Sequence, residues 1–146
     1  MNDPYRLRRF ENAQNQGTYE AAVTELRAGR KASHWMWFIF PQIAGLGHSS
    51  MSRTYAISSL SEAEAYLTHP VLGPRLIECA RILTGLTGRT AEEIFGATDA
   101  MKLRSSMTLF ARAAPNNARF QQVLDDYFDG IADVATERRL DAGHAA

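Results

Sequence analysis

The chain has 146 residues, 45% of them hydrophobic and 22% charged, the make-up of a packed domain rather than a disordered, collagen-like or low-complexity one. Sixteen Lys and Arg balance sixteen Asp and Glu, so a sequence-independent grip on DNA or RNA, which needs a cationic surface to release counterions, has no support. A chain of this size buries roughly 70% of its unfolded surface, and one domain over residues 1–146 is expected, with its core at about 5–131 and a frayed polar tail over 132–146.

In chain order, Asp3 and Pro4 suit a helix start, and Leu7, Phe10 and Ala13 recur at helical spacing until Gly17 interrupts. Thr18 is expected to cap a second helix striped by Tyr19, Ala22, Val23 and Leu26, with Gly29 as its left-handed stop. Residues 33–40 read as a short helix or a buried strand ended by Pro41, with helix preferred. Glycine and serine make 42–52 an irregular loop, and Tyr55, Ile57 and Leu60 alternate as a short extended piece would. Ser61 and Glu64 spell a capping box for a helix to about Thr68, and Pro70 opens the next, which buries Leu72, Leu76, Ala80 and Leu83. Thr90 and Glu93 form a second box for a short helix closed by Gly96. Asp99 is expected to cap the helix that carries Leu103, Met107 and Phe110 up to Pro115. Phe120, Val123, Leu124, Tyr127 and Ile131 make the last stripe, braked by Gly130. The expected fold class is all-α: a compact bundle of six to eight helices with at most a token strand pair.

The lone cysteine, Cys79, cannot form an intramolecular disulfide, and no cationic start leads into an apolar stretch and cleavage site. A cytoplasmic location is therefore expected. The longest bulky apolar run, residues 35–40, is far short of the roughly 20 residues that cross a bilayer. Scattered histidines and one cysteine argue against a metal site, and no cofactor is expected.

Both tryptophans of the chain fall in the run Lys31, Ala32, Ser33, His34, Trp35, Met36, Trp37, Phe38, Ile39, Phe40, Pro41, Gln42. Phe38 and Ile39 read as core, whereas Trp35 and Trp37 fit either the core or a stacking surface for a planar ligand. His34, able to exchange protons near neutrality, is the candidate acid–base group, against a purely local hydrogen-bonding role. Gly45, Leu46, Gly47, His48, Ser49 and Ser50 form a loop whose amides and hydroxyls suit an anion, with Arg53 as countercharge, or else an ordinary surface loop. Asp99 and Lys102 begin a helix that faces either a ligand or solvent.

The blocks from Lys31 to Gln42 and on through Gly45, Gly47, Ser49, Ser52 and Tyr55 resemble the bacterial domain of unknown function 1810 family. His69, Pro70, Leu72, Gly73, Arg75 and Leu76 match its second block, and Ile94, Phe95, Gly96, Asp99, Lys102, Ser105, Met107 and Phe110 its third. The resemblance covers roughly residues 5 to 131 and implies a compact helical domain, with no established activity to carry over. Some members bear the label calpastatin, a long disordered inhibitor whose composition this chain does not share. More distantly, the chain is similar to the NADAR family, which cleaves N-glycosidic bonds of ADP-ribose-like and riboflavin-pathway substrates. In that family's Ser-Glu-His-Tyr segment an acidic residue follows the serine, whereas His34 and Trp35 follow Ser33 here, so the expected carboxylate is missing.

The expected function is binding of a phosphorylated planar small molecule, nucleotide or ADP-ribose-like, with catalysis left open and N-glycosidic hydrolysis as the class to test first if turnover occurs. The expected catalytic residues are His34 and Asp99. The expected ligand residues are Lys31, Ser33, Trp35, Trp37, Gln42, Gly45, Gly47, Ser49, Ser50, Arg53, Tyr55 and Lys102. The alternative is a protein-interaction module that exposes Trp35, Trp37 and Phe40, with self-association left open.

Overall fold

The computed structural model describes residues 3–144. These residues form ten helices in the order α1 (Arg8–Gln14), α2 (Thr18–Arg27), α3 (Met36–Ile39), α4 (Ser50–Thr54), α5 (Leu60–Thr68), α6 (Leu72–Gly85), α7 (Ala91–Phe95), α8 (Ala97–Ala113), α9 (Ala118–Phe128) and α10 (Val134–His144). No helix among them is long and apolar enough to cross a membrane.

The longest helix, α8, is the axis of the fold, with α5, α7, α9 and α10 packed around it. Six consecutive residues, Ser105 to Phe110, are buried, so no face of α8 is left to solvent there. Small hydroxyl residues make that close packing tolerable: Ser105 Oγ and Thr108 Oγ1 turn back to the carbonyls of Met101 and Arg104 at 3.2 and 2.8 Å. A second layer of α2, α6 and α9 closes the other side. The buried apolar side chains join one cluster that includes Phe10, Trp35, Phe40, Tyr66, Phe110 and Phe120.

The all-α expectation holds, but the count of six to eight helices is low among the described residues because the short turn Ser50–Thr54 and the C-terminal segment also wind up. In the stretch expected as loop, Ser49 Oγ accepts the Ser52 N–H at 3.1 Å and starts α4. Where fraying is expected, Asp133 accepts both the backbone N–H (3.0 Å) and the hydroxyl (2.6 Å) of Thr136, and Leu140 is buried, so α10 seats on the core. The token strand pair reduces to one parallel bridge, Ile43 to Ile57, with 2.8 Å bonds from Ala44 N–H to Ile57 O and from Ile57 N–H to Gln42 O. That bridge ties the glycine loop to the start of α5.

Several caps differ from expectation. Gly17, at φ 91°, precedes α2, and Thr18 is already helical with no capping bond. Ser59, not Ser61, caps α5, because the Glu62 N–H lies 3.2 Å from its hydroxyl. Helix α6 starts at Leu72 and not at Pro70, and its start is held by His69, whose Nδ1 accepts the N–H groups of Val71 and Leu72 at 3.1 and 3.2 Å. Gly96 precedes α8, and Asp99 lies in its first turn with no capping bond. The Thr90–Glu93 box and the left-handed Gly29, at φ 73°, are as expected.

Candidate functional site

One carboxylate holds the aromatic segment from behind. Glu25, near the end of α2, accepts hydrogen bonds from the N–H groups of Ala32 (2.7 Å) and Ser33 (2.9 Å), from Ser33 Oγ (2.6 Å) and from Trp35 Nε1 (2.8 Å). Burial alone pushes the Glu25 carboxyl up, and the four donors outweigh it, bringing it down to about 2. Trp35 is thereby fixed in the core at 1% exposure, its ring 6.2 Å from those of Phe40 and Phe95. The ligand roles expected of Ser33 and Trp35 give way to structural ones, since the hydroxyl and the indole N–H are spent on Glu25.

Two residues further on, about 200° around a helical turn, Trp37 is half-buried at a cleft of about 280 Å³. Three segments singled out in the sequence meet there: Trp37 from α3, Gln42 and Gly47 from the loop, and Lys102 from α8. The Lys102 ammonium lies 4.0 Å from the centre of the Trp37 ring and 3.1 Å from Asp99 Oδ1. The other Asp99 oxygen pairs with Lys31 Nζ at 3.0 Å. Desolvation pushes the Asp99 carboxyl up, but the hydrogen bonds and charges of Lys31 and Lys102 hold it below its ordinary value. Two ammonium groups meet one carboxylate at this corner, and the Asp133 carboxylate on another wall of the cleft offsets the remaining positive charge.

The fourth wall was not anticipated. Asp133, in the turn before α10, lines the cleft beside Ser105. All three side-chain bonds to its carboxylate, from Ser105 Oγ and from Thr136 N–H and Oγ1, fall on Oδ2. Its Oδ1 has no donor among the described residues and is left as an acceptor. The helix-capping spacing of Asp133 and Thr136 was the signal in the sequence that would have found it.

The other expected site residues are dispersed. His34 is exposed beside Gln16 and Thr18, on a separate cleft from Trp37, which removes it as acid–base partner of this site. Gly45 lines another cavity, where Arg139 Nη2 donates to its carbonyl at 3.1 Å. Arg53 lies in a third cleft with Arg6 and Arg9. Ser49 caps α4, Ser50 is exposed on its first turn, and Tyr55 packs its ring 4.7 Å from Phe38. Cys79 is fully buried in α6, and burial pushes its thiol up to about 12.

The sequence profile of the family described as "Protein of unknown function (DUF1810)" matches residues 4–140. The chain belongs to this family. The DUF1810 match contains every residue of the Trp37 cleft. The crystal structure of the conserved hypothetical protein Rv1873 from Mycobacterium tuberculosis is similar over 95% of this chain and 99% of that chain, with 52% identity and a TM-score of 0.93. No curated protein matches the chain. Membership of DUF1810 thus carries the fold, and neither match assigns an activity.

Proposed function

We propose that the Trp37 cleft of this DUF1810 protein binds a small planar molecule bearing one anionic, phosphate-like group. The observation that carries this reading is the meeting of Trp37, the glycine loop and Lys102 around one cleft. The resting contact is easily exchanged. A cation–π pair at an exposed site contributes only about 0.5–1 kcal/mol, whereas a hydrogen bond to a charged group contributes about 1.5–3 kcal/mol. Lys102 therefore leaves the ring for the anion and opens the indole face to the ligand's ring. Gln42 and the free oxygen of Asp133 supply the polar contacts that fix orientation. A volume of about 280 Å³ falls just under the ~300–1,000 Å³ usual for ligand sites, which favours a mononucleotide-sized ligand over ADP-ribose.

N-glycosidic hydrolysis is the reaction class to test, on the partial likeness to the NADAR family. Asp99, held ionised between two lysines and set behind the cleft wall, fits a residue that positions Lys102 and not a proton donor. Thermal unfolding against mononucleotides, nucleosides and riboflavin-pathway intermediates tests binding. At about 100 times its dissociation constant a ligand adds roughly 2.7 kcal/mol, an upward shift that Trp37→Ala and Lys102→Met abolish. A panel with no shift rejects the reading, and chromatography of any binder for a released base tests cleavage.

The interaction-module reading survives only on a different surface. Trp35 and Phe40 are each 1% exposed, so the expected aromatic patch does not form. Met101, at 70% exposure, and Ile131 and Val134, at 56% and 54%, are the exposed apolar residues near the cleft mouth. Light scattering tests that reading: self-association lost in Met101→Lys supports it, and a monomer at all concentrations removes self-association.

A further inference from the structure

The cavity that holds Gly45 and the arginine cleft share two wall residues, Ala44 and Ser58, and so form one groove with a wide end of about 530 Å³ and a narrow end of about 280 Å³. The narrow end collects Arg6, Arg9 and Arg53 around a single carboxylate, Glu62. That carboxylate is already committed: one oxygen pairs with Arg9 Nη2 at 2.9 Å, and the other accepts Ser58 N–H and Oγ at 2.8 and 2.7 Å. Among the described residues, neither Arg6 nor Arg53 has an acidic oxygen within 4.0 Å. Three guanidinium groups against one carboxylate leave two positive charges over this small volume.

Arg9 is a fixed part of that wall. Beyond Glu62 it donates to the carbonyls of Tyr5, Arg6 and Ala56, and its Nε is a buried N–H with no acceptor. A guanidinium so anchored spends its Nη hydrogens on the protein and pairs its charge with Glu62, so it forms the wall, while exposed Arg6 and Arg53 are free to close on a ligand. The wide end differs in kind: Ile43, Leu60 and Leu140 give it an apolar floor, and Ser59 and Ser61 rim it with hydroxyls.

We propose that this groove is a second ligand site, separate from the Trp37 cleft, for an organic phosphomonoester. The phosphate dianion lies among Arg6, Arg9 and Arg53, and the esterified body extends over Leu60 towards Arg139. Both charge and shape point to this class. A dianion balances the excess charge of the narrow end, and bidentate guanidinium contacts suit its oxygens. Inorganic phosphate would fill only the narrow end, leaving the larger, apolar part of the groove unused.

The test is proton–nitrogen correlation NMR of the whole chain titrated with phenyl phosphate, inorganic phosphate and phenol. Phenyl phosphate is expected to shift the amides of Arg6, Ala56, Ser58 and Leu60 saturably, and to bind about tenfold or more tightly than inorganic phosphate. Arg6→Gln and Arg53→Gln, both at exposed positions, each weaken it by about tenfold, the loss of one charge-assisted contact. Absence of saturable shifts at these amides overturns the site, as does unchanged affinity in both variants. Equal affinity for inorganic phosphate overturns the organic class, and phenol binding as tightly as phenyl phosphate overturns the role of the arginines.

Discussion

Trp35 and Trp37 are separated by one residue, yet the first is 1% exposed among Phe40 and Phe95 while the second lies half-buried beneath the Lys102 ammonium. A helical turn sends side chains two positions apart to nearly opposite sides, and Glu25 decides which side is inward by capturing the Trp35 N–H. The pair teaches that a rare residue type in a dense run is not one signal. One indole closes the core, and the other is left for chemistry.

The largest expected effect is on stability. Trp35→Ala should cost about 3–5 kcal/mol, as large-to-small changes of buried aromatics do, read as a lower urea midpoint. Trp37→Ala should cost about 1 kcal/mol or less while removing any ligand-induced shift. Equal costs would erase the distinction between the two.

Next comes the clamp. Glu25→Ala leaves the Trp35 indole N–H and two loop amides without their acceptor, at roughly 1–3 kcal/mol for an unsatisfied buried donor. With Trp37→Phe as background, Trp35 emission should move to the red as the 31–35 loop loosens. An unmoved spectrum would mean that packing alone holds the indole.

Acid sharpens the same point. The Glu25 carboxyl sits at about 2 in the folded chain, against an ordinary value of 4.5. A depressed folded value gives stability that is complete above the unfolded pKa and lost as pH falls from there through the folded one. Stability should therefore decline between about pH 5 and about pH 2, and part of that slope should vanish in Glu25→Gln. The smallest effect is that of Lys102→Met, within about 1 kcal/mol on stability. It should raise the Asp99 pKa towards its ordinary value, measurable by carboxyl NMR titration, because Lys102 is one of the two ammonium groups that lower it.

Much of the helical framework was legible because it is local. The Tyr19, Ala22, Val23, Leu26 stripe, the Thr90–Glu93 box and the left-handed Gly29 all depend on residues within a turn of one another. The short helix α4 and the C-terminal α10 escaped because their stop and start signals are weak in composition and are settled by contacts such as that of Leu140 with the core. The site was legible as segments and not as a set. Trp37, Gln42, Gly47 and Lys102 converge, while His34, Gly45 and Arg53 go to other clefts, because which side of a turn or loop faces which neighbour is fixed by partners far along the chain. Asp133 is hidden for that reason: it follows the last clear stripe and is tied to α8 through Ser105 and Thr108, 28 and 25 residues away.

The sequestered thiol of Cys79 makes the molecule its own stopwatch. With the sulfur fully covered in α6 and its ionisation pushed up to about 12, a thiol-specific reagent has no target until that helix parts from its neighbours. The chain carries no second cysteine to confuse the reading. The rate of modification in native buffer therefore times the opening of the core directly. Where reclosing outpaces labelling the same rate gives the free energy of opening, and where it does not the rate is that of unfolding itself.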